Sequence, residues 1–136
     1  MTLSKLGPGF HHVAIRAYDF EKTLKFYQEA MGYERVYGWG TPPKRAAMLG
    51  MGDGNYTEVF EGRPAGEVIP DGAVLHYAVR VPDTDAAYAR AMAAGAESVS
   101  GPTDVDIQGD RVVRVRIAFI KGLDGEVIEF FQNDEL

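Results

Sequence analysis

Apolar and polar positions alternate with a period of two along several short stretches, and two segments replace that rhythm with a helical one. From Phe10 to Ala17, Val13 and Ile15 fall on one side of an extended chain, and His12, Ala14 and Arg16 on the other. Phe20, Leu24, Tyr27 and Met31 then recur at spacings of four, three and four, which predicts a helix over about 20–31. Asp19 is placed to cap its start and Gly32 to end it. Strands are expected at about 33–40, 45–50 and 55–61, with Met51-Gly52-Asp53-Gly54 as a hairpin turn. The Gly- and Pro-rich stretch 62–71 reads as a linker. Beyond it the same grammar returns: a strand over about 73–81, a capping Asp83, a helix over about 84–94 that stops at Gly95, and strands over about 97–100, 112–121 and 126–132.

The recurrence extends to the residues themselves. His12-Val13-Ala14-Ile15-Arg16 returns as His76-Tyr77-Ala78-Val79-Arg80, and Asp19 as Asp83, at an offset of 64. Asp53-Gly54-Asn55-Tyr56-Thr57-Glu58-Val59-Phe60 returns as Asp124-Gly125-Glu126-Val127-Ile128-Glu129-Phe130-Phe131, at an offset of 71. The larger offset predicts a longer loop in the second half. The chain thus reads as one α+β domain over 1–136, built from tandem βαβββ modules at 9–61 and 72–132. In each module one helix covers one face of a four-stranded sheet, and the other face must be covered by something else or form a cavity.

The repeat carries chemistry. The apolar set of each first strand is expected to pack on the helices, which turns His12, Ala14 and Arg16, and likewise His76, Ala78 and Arg80, toward the concave side. A small Ala between two polar residues leaves room for a ligand. Glu58 and Glu129 each sit mid-strand with apolar neighbours on the opposite face, a costly place for an unpaired carboxylate. If a pseudo-twofold axis relates the modules, two imidazoles and two carboxylates meet around one divalent cation. The competing reading pairs each Glu with Arg16 or Arg80. By parity His11 falls on the face opposite His12 and stays out of the set. Arg114 and Arg116 read either as cavity-wall cations or as charges guarding an edge strand, and Tyr37 and Trp39 as packing or dimer-contact aromatics, with an aromatic lip over the substrate as the alternative.

Composition narrows the partners. With 14 Lys and Arg against 20 Asp and Glu the formal charge is −6, which disfavours nucleic acid and anionic membrane surfaces. The absence of cysteine removes disulfides, thiolate metal sites and cysteine nucleophiles. The first ten residues lack the apolar core of a signal peptide, and no stretch approaches the roughly 20 apolar residues of a membrane span. A cytoplasmic protein acting on a small molecule is expected.

His12-Val13-Ala14-Ile15, Phe26-Tyr27 followed by Gly32, His76-Tyr77-Ala78-Val79 and Asp124-Gly125-Glu126-Val127-Ile128-Glu129 together resemble the vicinal oxygen chelate superfamily. That superfamily includes glyoxalase I, methylmalonyl-CoA epimerase, extradiol dioxygenases, fosfomycin-resistance transferases and bleomycin-binding proteins. The resemblance implies a curved mixed sheet forming a cup, and a homodimer. The set His12, Glu58, His76 and Glu129 is similar to the ligand set of bacterial glyoxalase I (lactoylglutathione lyase). It implies a metal-dependent lyase or isomerase, with nickel or zinc favoured and cobalt, manganese or Fe(II) compatible. Glu129 is the expected base, with Glu58 as its mirror partner. Arg16 falls where glyoxalase I carries an arginine for the glutathione carboxylate, which implies an anionic substrate, in keeping with a thiol adduct; a salt bridge is the competing role for this residue. Gly62 and the 62–71 stretch depart from that family's pattern near the glutathione. An epimerase, a dioxygenase and a non-catalytic antibiotic-binding protein are the alternatives.

Overall fold

A computed structural model describes residues 10–67, 76–108 and 111–134. Two βαβββ modules follow one another. The first comprises β1 (His12–Ala17), α1 (Phe20–Met31), β2 (Glu34–Trp39), β3 (Ala46–Gly50) and β4 (Tyr56–Glu61). The second comprises β5 (Tyr77–Arg80), α2 (Thr84–Ala93), β6 (Glu97–Gln108), β7 (Val112–Lys121) and β8 (Val127–Gln132). Each forms a four-stranded mixed sheet of the same order, β1-β4-β3-β2 and β5-β8-β7-β6. The first strand of each module lies at the sheet edge, parallel to the last. Residues 73–75, expected to begin the fifth strand, and part of the expected linker lie outside the described residues.

Local signals act where the pattern puts them. The Asp19 carboxylate accepts from the Lys22 N–H at 3.1 Å and the Asp83 carboxylate from the Ala86 N–H at 3.0 Å, so both helices begin on an aspartate cap. Gly32, with φ 70°, closes α1 in the left-handed conformation that favours glycine. The buried face of α1 is wider than the four-residue stripe, because Thr23, Phe26 and Ala30 are buried beside Phe20, Leu24 and Tyr27. A helix covered on one side needs only a narrow stripe; α1 packs on its own sheet and also on α2. One core therefore serves both modules, joining Phe26 and Tyr27 of α1, Ala91 of α2, Leu49 and Val59 of the first sheet, and Ile120, Ile128 and Phe130 of the second.

The second module is enlarged in a different way from the one expected. The extra residues lengthen the β6–β7 hairpin rather than a loop: β6 spans 12 residues and β7 spans 10, against 6 and 5 in β2 and β3. Gly101-Pro102 suggests an end to β6 near residue 100. The strand instead absorbs them at register shifts between Ser98 and Thr103, on a sheet edge where proline is tolerated. The same topology corrects the edge-strand reading of Arg114 and Arg116, while both do line a cleft at the ends of β5 and β8. β7 is an interior strand, and Arg116 lies on the helix side, where it grips Asp85 at 2.6 Å and Asp104 at 3.0 Å. Its repeat equivalent Arg45 grips Glu21 at 2.6 Å and Glu61 at 2.7 Å. Because Glu21 and Asp85 are themselves equivalent, one ion pair between a sheet and the first turn of its helix occurs twice.

Between the modules lies an asymmetric polar seam. Buried Asp124, in the β7–β8 turn, accepts from the Tyr18 N–H and from the Thr23 hydroxyl, both at 2.7 Å, and its carbonyl accepts from Arg63. Next to it the Glu126 carboxyl, with one oxygen buried and unpartnered, packs into space that exists because residue 122 is glycine; a Cβ there would collide with it. Burial, reinforced by the neighbouring Asp124 charge, pushes the Glu126 carboxyl up to about 7. Tyr27 and Tyr77 approach the same spot from opposite modules, their hydroxyls 3.3 Å apart.

A raised carboxyl pKa means that folding favours the protonated form. The associated stability is complete below the ordinary pKa near 4.5 and is lost as pH rises through about 7. Wild-type protein is expected to lose on the order of 3 kcal/mol of unfolding free energy between pH 4.5 and pH 8 from this group, and Glu126→Gln to remove that decline. Denaturant unfolding at both pH values checks it. Asp124→Ala, which strands the Thr23 hydroxyl and the Tyr18 N–H, is expected to cost about 2–4 kcal/mol in the same assay.

Candidate functional site

The sheet register places the candidate residues. On β1, Val13 and Ile15 are half-buried toward the helices, and His12, Ala14 and Arg16 are exposed on the other face; β5 repeats the arrangement with His76, Ala78 and Arg80. In the parallel ladders Ala14 pairs with Glu58 and Ala78 with Glu129, so each glutamate lies beside a methyl group instead of a larger side chain. The space beside that methyl lets the carboxylate reach back to the histidine two residues earlier. The His12 Nε2 stands 3.8 Å from Glu58 Oε1, and the His76 Nε2 stands 3.0 Å from Glu129 Oε2.

The glutamates are 9% exposed and the histidines more than a third exposed, so each pair opens from the sheet floor toward solvent. Arg16 and Arg80 make no ion pair with either carboxylate, which sets aside the Glu–Arg reading of the sequence. The two pairs do not meet within one chain: among the described residues no three His, Asp or Glu side chains gather around a common point. The chain presents two separate His–Glu pairs.

Each pair still suits half of a metal site. Ligand bonds of about 2.0–2.2 Å set at right angles hold neighbouring donor atoms about 3 Å apart. The His76–Glu129 separation is already that length and the His12–Glu58 separation exceeds it by less than an ångström. The donors are an imidazole nitrogen and a carboxylate oxygen in each pair, the set that suits first-row divalent ions.

His11 departs from the expectation. It precedes β1, so strand alternation does not govern it. Its carbonyl accepts from the Tyr56 N–H at 2.8 Å, its ring lies 5.1 Å from that of Tyr56, and its Nδ1 is 2.9 Å from His12 Nδ1. The contact occupies the inner nitrogen of His12 and leaves Nε2 facing Glu58. In the other module the Phe119 ring, from the residue paired with Glu129, packs edge-on against His76 at 5.3 Å. Neither neighbour was among the sequence candidates; Phe119 was within reach of a register argument, whereas His11 needed the strand boundary. Tyr37 and Trp39 share the face of Glu58 through Met48 and Ala46; they are 63% and 40% exposed, with Trp39 edge-on to Phe60.

Comparison with known proteins shows the family to which this fold belongs. The family model described as Glyoxalase/Bleomycin resistance protein/Dioxygenase superfamily matches residues 9–130. The chain belongs to that superfamily. It is 30% identical over 127 residues to the uncharacterized protein YwbC of Bacillus subtilis, covering 90% of this chain and 95% of that one. Glyoxalase I from Zea mays superposes with a TM-score of 0.75 at 21% identity, over 93% of this chain and 45% of the maize chain. The fosfomycin resistance protein FosX from Listeria monocytogenes superposes at 0.69 with 19% identity, over 94% and 95% of the two chains. These superpositions establish the shared fold. No helix among the described residues is long and apolar enough to cross a membrane.

The space beside each glutamate yields a direct test. Ala78→Leu is expected to push Glu129 away from His76 and leave the fold intact, because residue 78 is exposed. In a crystal structure of the variant, Glu129 Oε2 should stand well beyond 3.0 Å from His76 Nε2, and thermal unfolding should stay within about 2 °C of wild type.

Proposed function

We propose that the protein is a homodimeric, divalent-metal-dependent lyase or isomerase of the glyoxalase I type. In this reading His12 and Glu58 of one protomer join His76 and Glu129 of its partner around one ion. The observation that carries the reading is the pair of nearly buried glutamates, each beside a histidine at an equivalent repeat position and each without an arginine or lysine partner among the described residues. Such carboxylates call for a cation, and a second copy supplies the missing half of the donor set. Both His–Glu faces point away from the core shared by the modules, so they remain free to meet a partner.

A divalent ion, with nickel or zinc the best match and cobalt, manganese or Fe(II) compatible, would supply Lewis-acid stabilisation for charge that develops on a substrate oxygen. Glu129 takes the proton from the carbon next to that oxygen and returns it to the adjacent carbon, which isomerises a hemithioacetal-like substrate. Glu58 serves the mirror-related side. His11 holds the His12 ring so that Nε2 faces the donor set, and Phe119 does the same for His76. Arg16, on the same face as His12, receives an anionic group of the substrate. The sheet floor around Glu58 and Glu129 keeps bulk water from the carboxylates that handle the proton.

Elemental analysis of purified protein and a hemithioacetal isomerisation assay test this directly. One ion per composite site, two per dimer, is expected, with activity lost on chelation and restored by nickel or zinc. Glu129→Gln is expected to lower kcat by about 10²- to 10⁴-fold. His11→Ala should weaken metal binding by about 10- to 100-fold, measured by competition with a chromogenic chelator. Protein that takes up no divalent ion as a dimer overturns the reading, and metal-loaded protein without turnover overturns the lyase assignment.

A further inference from the structure

The face that carries His76 and Glu129 continues to an arginine without a partner among the described residues. Arg80 lies four residues beyond His76 on the same side of the chain, about 13 Å along an extended strand. Arg16 stands in the same relation to His12. Both are exposed, and neither has an ion pair or hydrogen bond among the described residues. Arg45, Arg114 and Arg116 are by contrast each held by carboxylates.

Arg80 also borders a cleft of about 680 Å³ at the ends of β5 and β8, whose wall includes Arg114, Arg116, Asn133, Asp104 and Asp134. Asp106 engages Arg114, and Asp85 and Asp104 engage Arg116, so Arg80 is the guanidinium of this cleft left to meet a ligand. The acid that feels its charge is Asp53, which is held below the usual carboxylate range first by the Asn55 N–H and only last by Arg80. The two form no ion pair.

We propose that Arg80 is a second anion-recognition residue, the repeat counterpart of Arg16, and that the small molecule bound here carries a carboxylate at each of two ends. This deepens the proposed function and rests on its composite site. The twofold relation that joins the two His–Glu pairs puts Arg16 of one protomer and Arg80 of its partner on opposite sides of the donor set. A ligand whose middle lies against the donors then extends in both directions toward a planar fork suited to bidentate carboxylate binding. Five donors on each guanidinium, with no acid paired to it among the described residues, make carboxylate the fitting terminal group.

The test titrates the dimer, with and without zinc, with α,ω-dicarboxylates from octanedioate to hexadecanedioate, each compared with its monomethyl ester. At the best length the diacid is expected to bind wild type at least about tenfold more tightly than its ester. Arg80→Gln and Arg16→Gln should each reduce that advantage to less than about twofold, and Arg80→Lys should restore part of it. No diacid advantage at any length, or an advantage that survives Arg80→Gln, overturns the second anion site. Zinc uptake by a dimer that lacks the diacid advantage leaves the metal reading standing alone. A diacid advantage in a dimer that takes up no zinc supports Arg80 and overturns the metal reading.

Discussion

The parallel pairing of an edge strand with the last strand of its module is the constraint on which the site depends. It sets Ala14 against Glu58 and Ala78 against Glu129, and so brings two distant sequence motifs together as neighbouring His–Glu side chains. A one-residue slip would turn each histidine into the core and bring an apolar side chain out in its place. The apolar residues on the other faces of these strands resist that slip. Val59, Ile128 and Phe130 are buried in the shared core, and they can stay there only in the register that exposes the two His–Glu pairs. Stability of the core and placement of the chemistry are thus one requirement.

The two modules are alike in how each is built and unlike where they face each other. The His–Glu pairs, the capping aspartates, the arginine grip on the first helical turn and the strand arginines beyond each histidine all occur twice. The seam between modules has no such symmetry. Asp124 and Glu126 reach into the first module, whereas their counterparts Asp53 and Asn55 hydrogen-bond to each other in a local turn. A duplicated chain needs only one set of inter-module contacts to hold its halves together.

Much of this arrangement was legible in the sequence because it depends on periodicity. Strand alternation separated His12 from Val13, helical spacing found the face of α1, and the offset repeat linked Glu58 with Glu129. What was missed depends on distances between segments. Thr23, Phe26 and Ala30 gave no apolar signal of a second covered face on α1, because two of them are small or polar and the covering helix lies in the other module. The length of β6 was hidden by Gly101-Pro102, residues that mark a turn unless the strand lies at an edge. His11 was misplaced because alternation was carried one residue beyond the strand. The separation of the two pairs within one chain could not be read from parity at all, since parity assigns a face and says nothing about where that face stands.

The common core has a consequence for how such a chain could have arisen. Phe26 and Tyr27 of α1 are buried by contacts that involve both halves, so a lone βαβββ unit would leave a wide apolar flank of its helix in water. A half-length ancestor would have had to associate with its own twin simply to become a folded protein. Self-association would in that lineage be older than the duplicated gene, and fusion of the two copies would have made an existing partnership permanent.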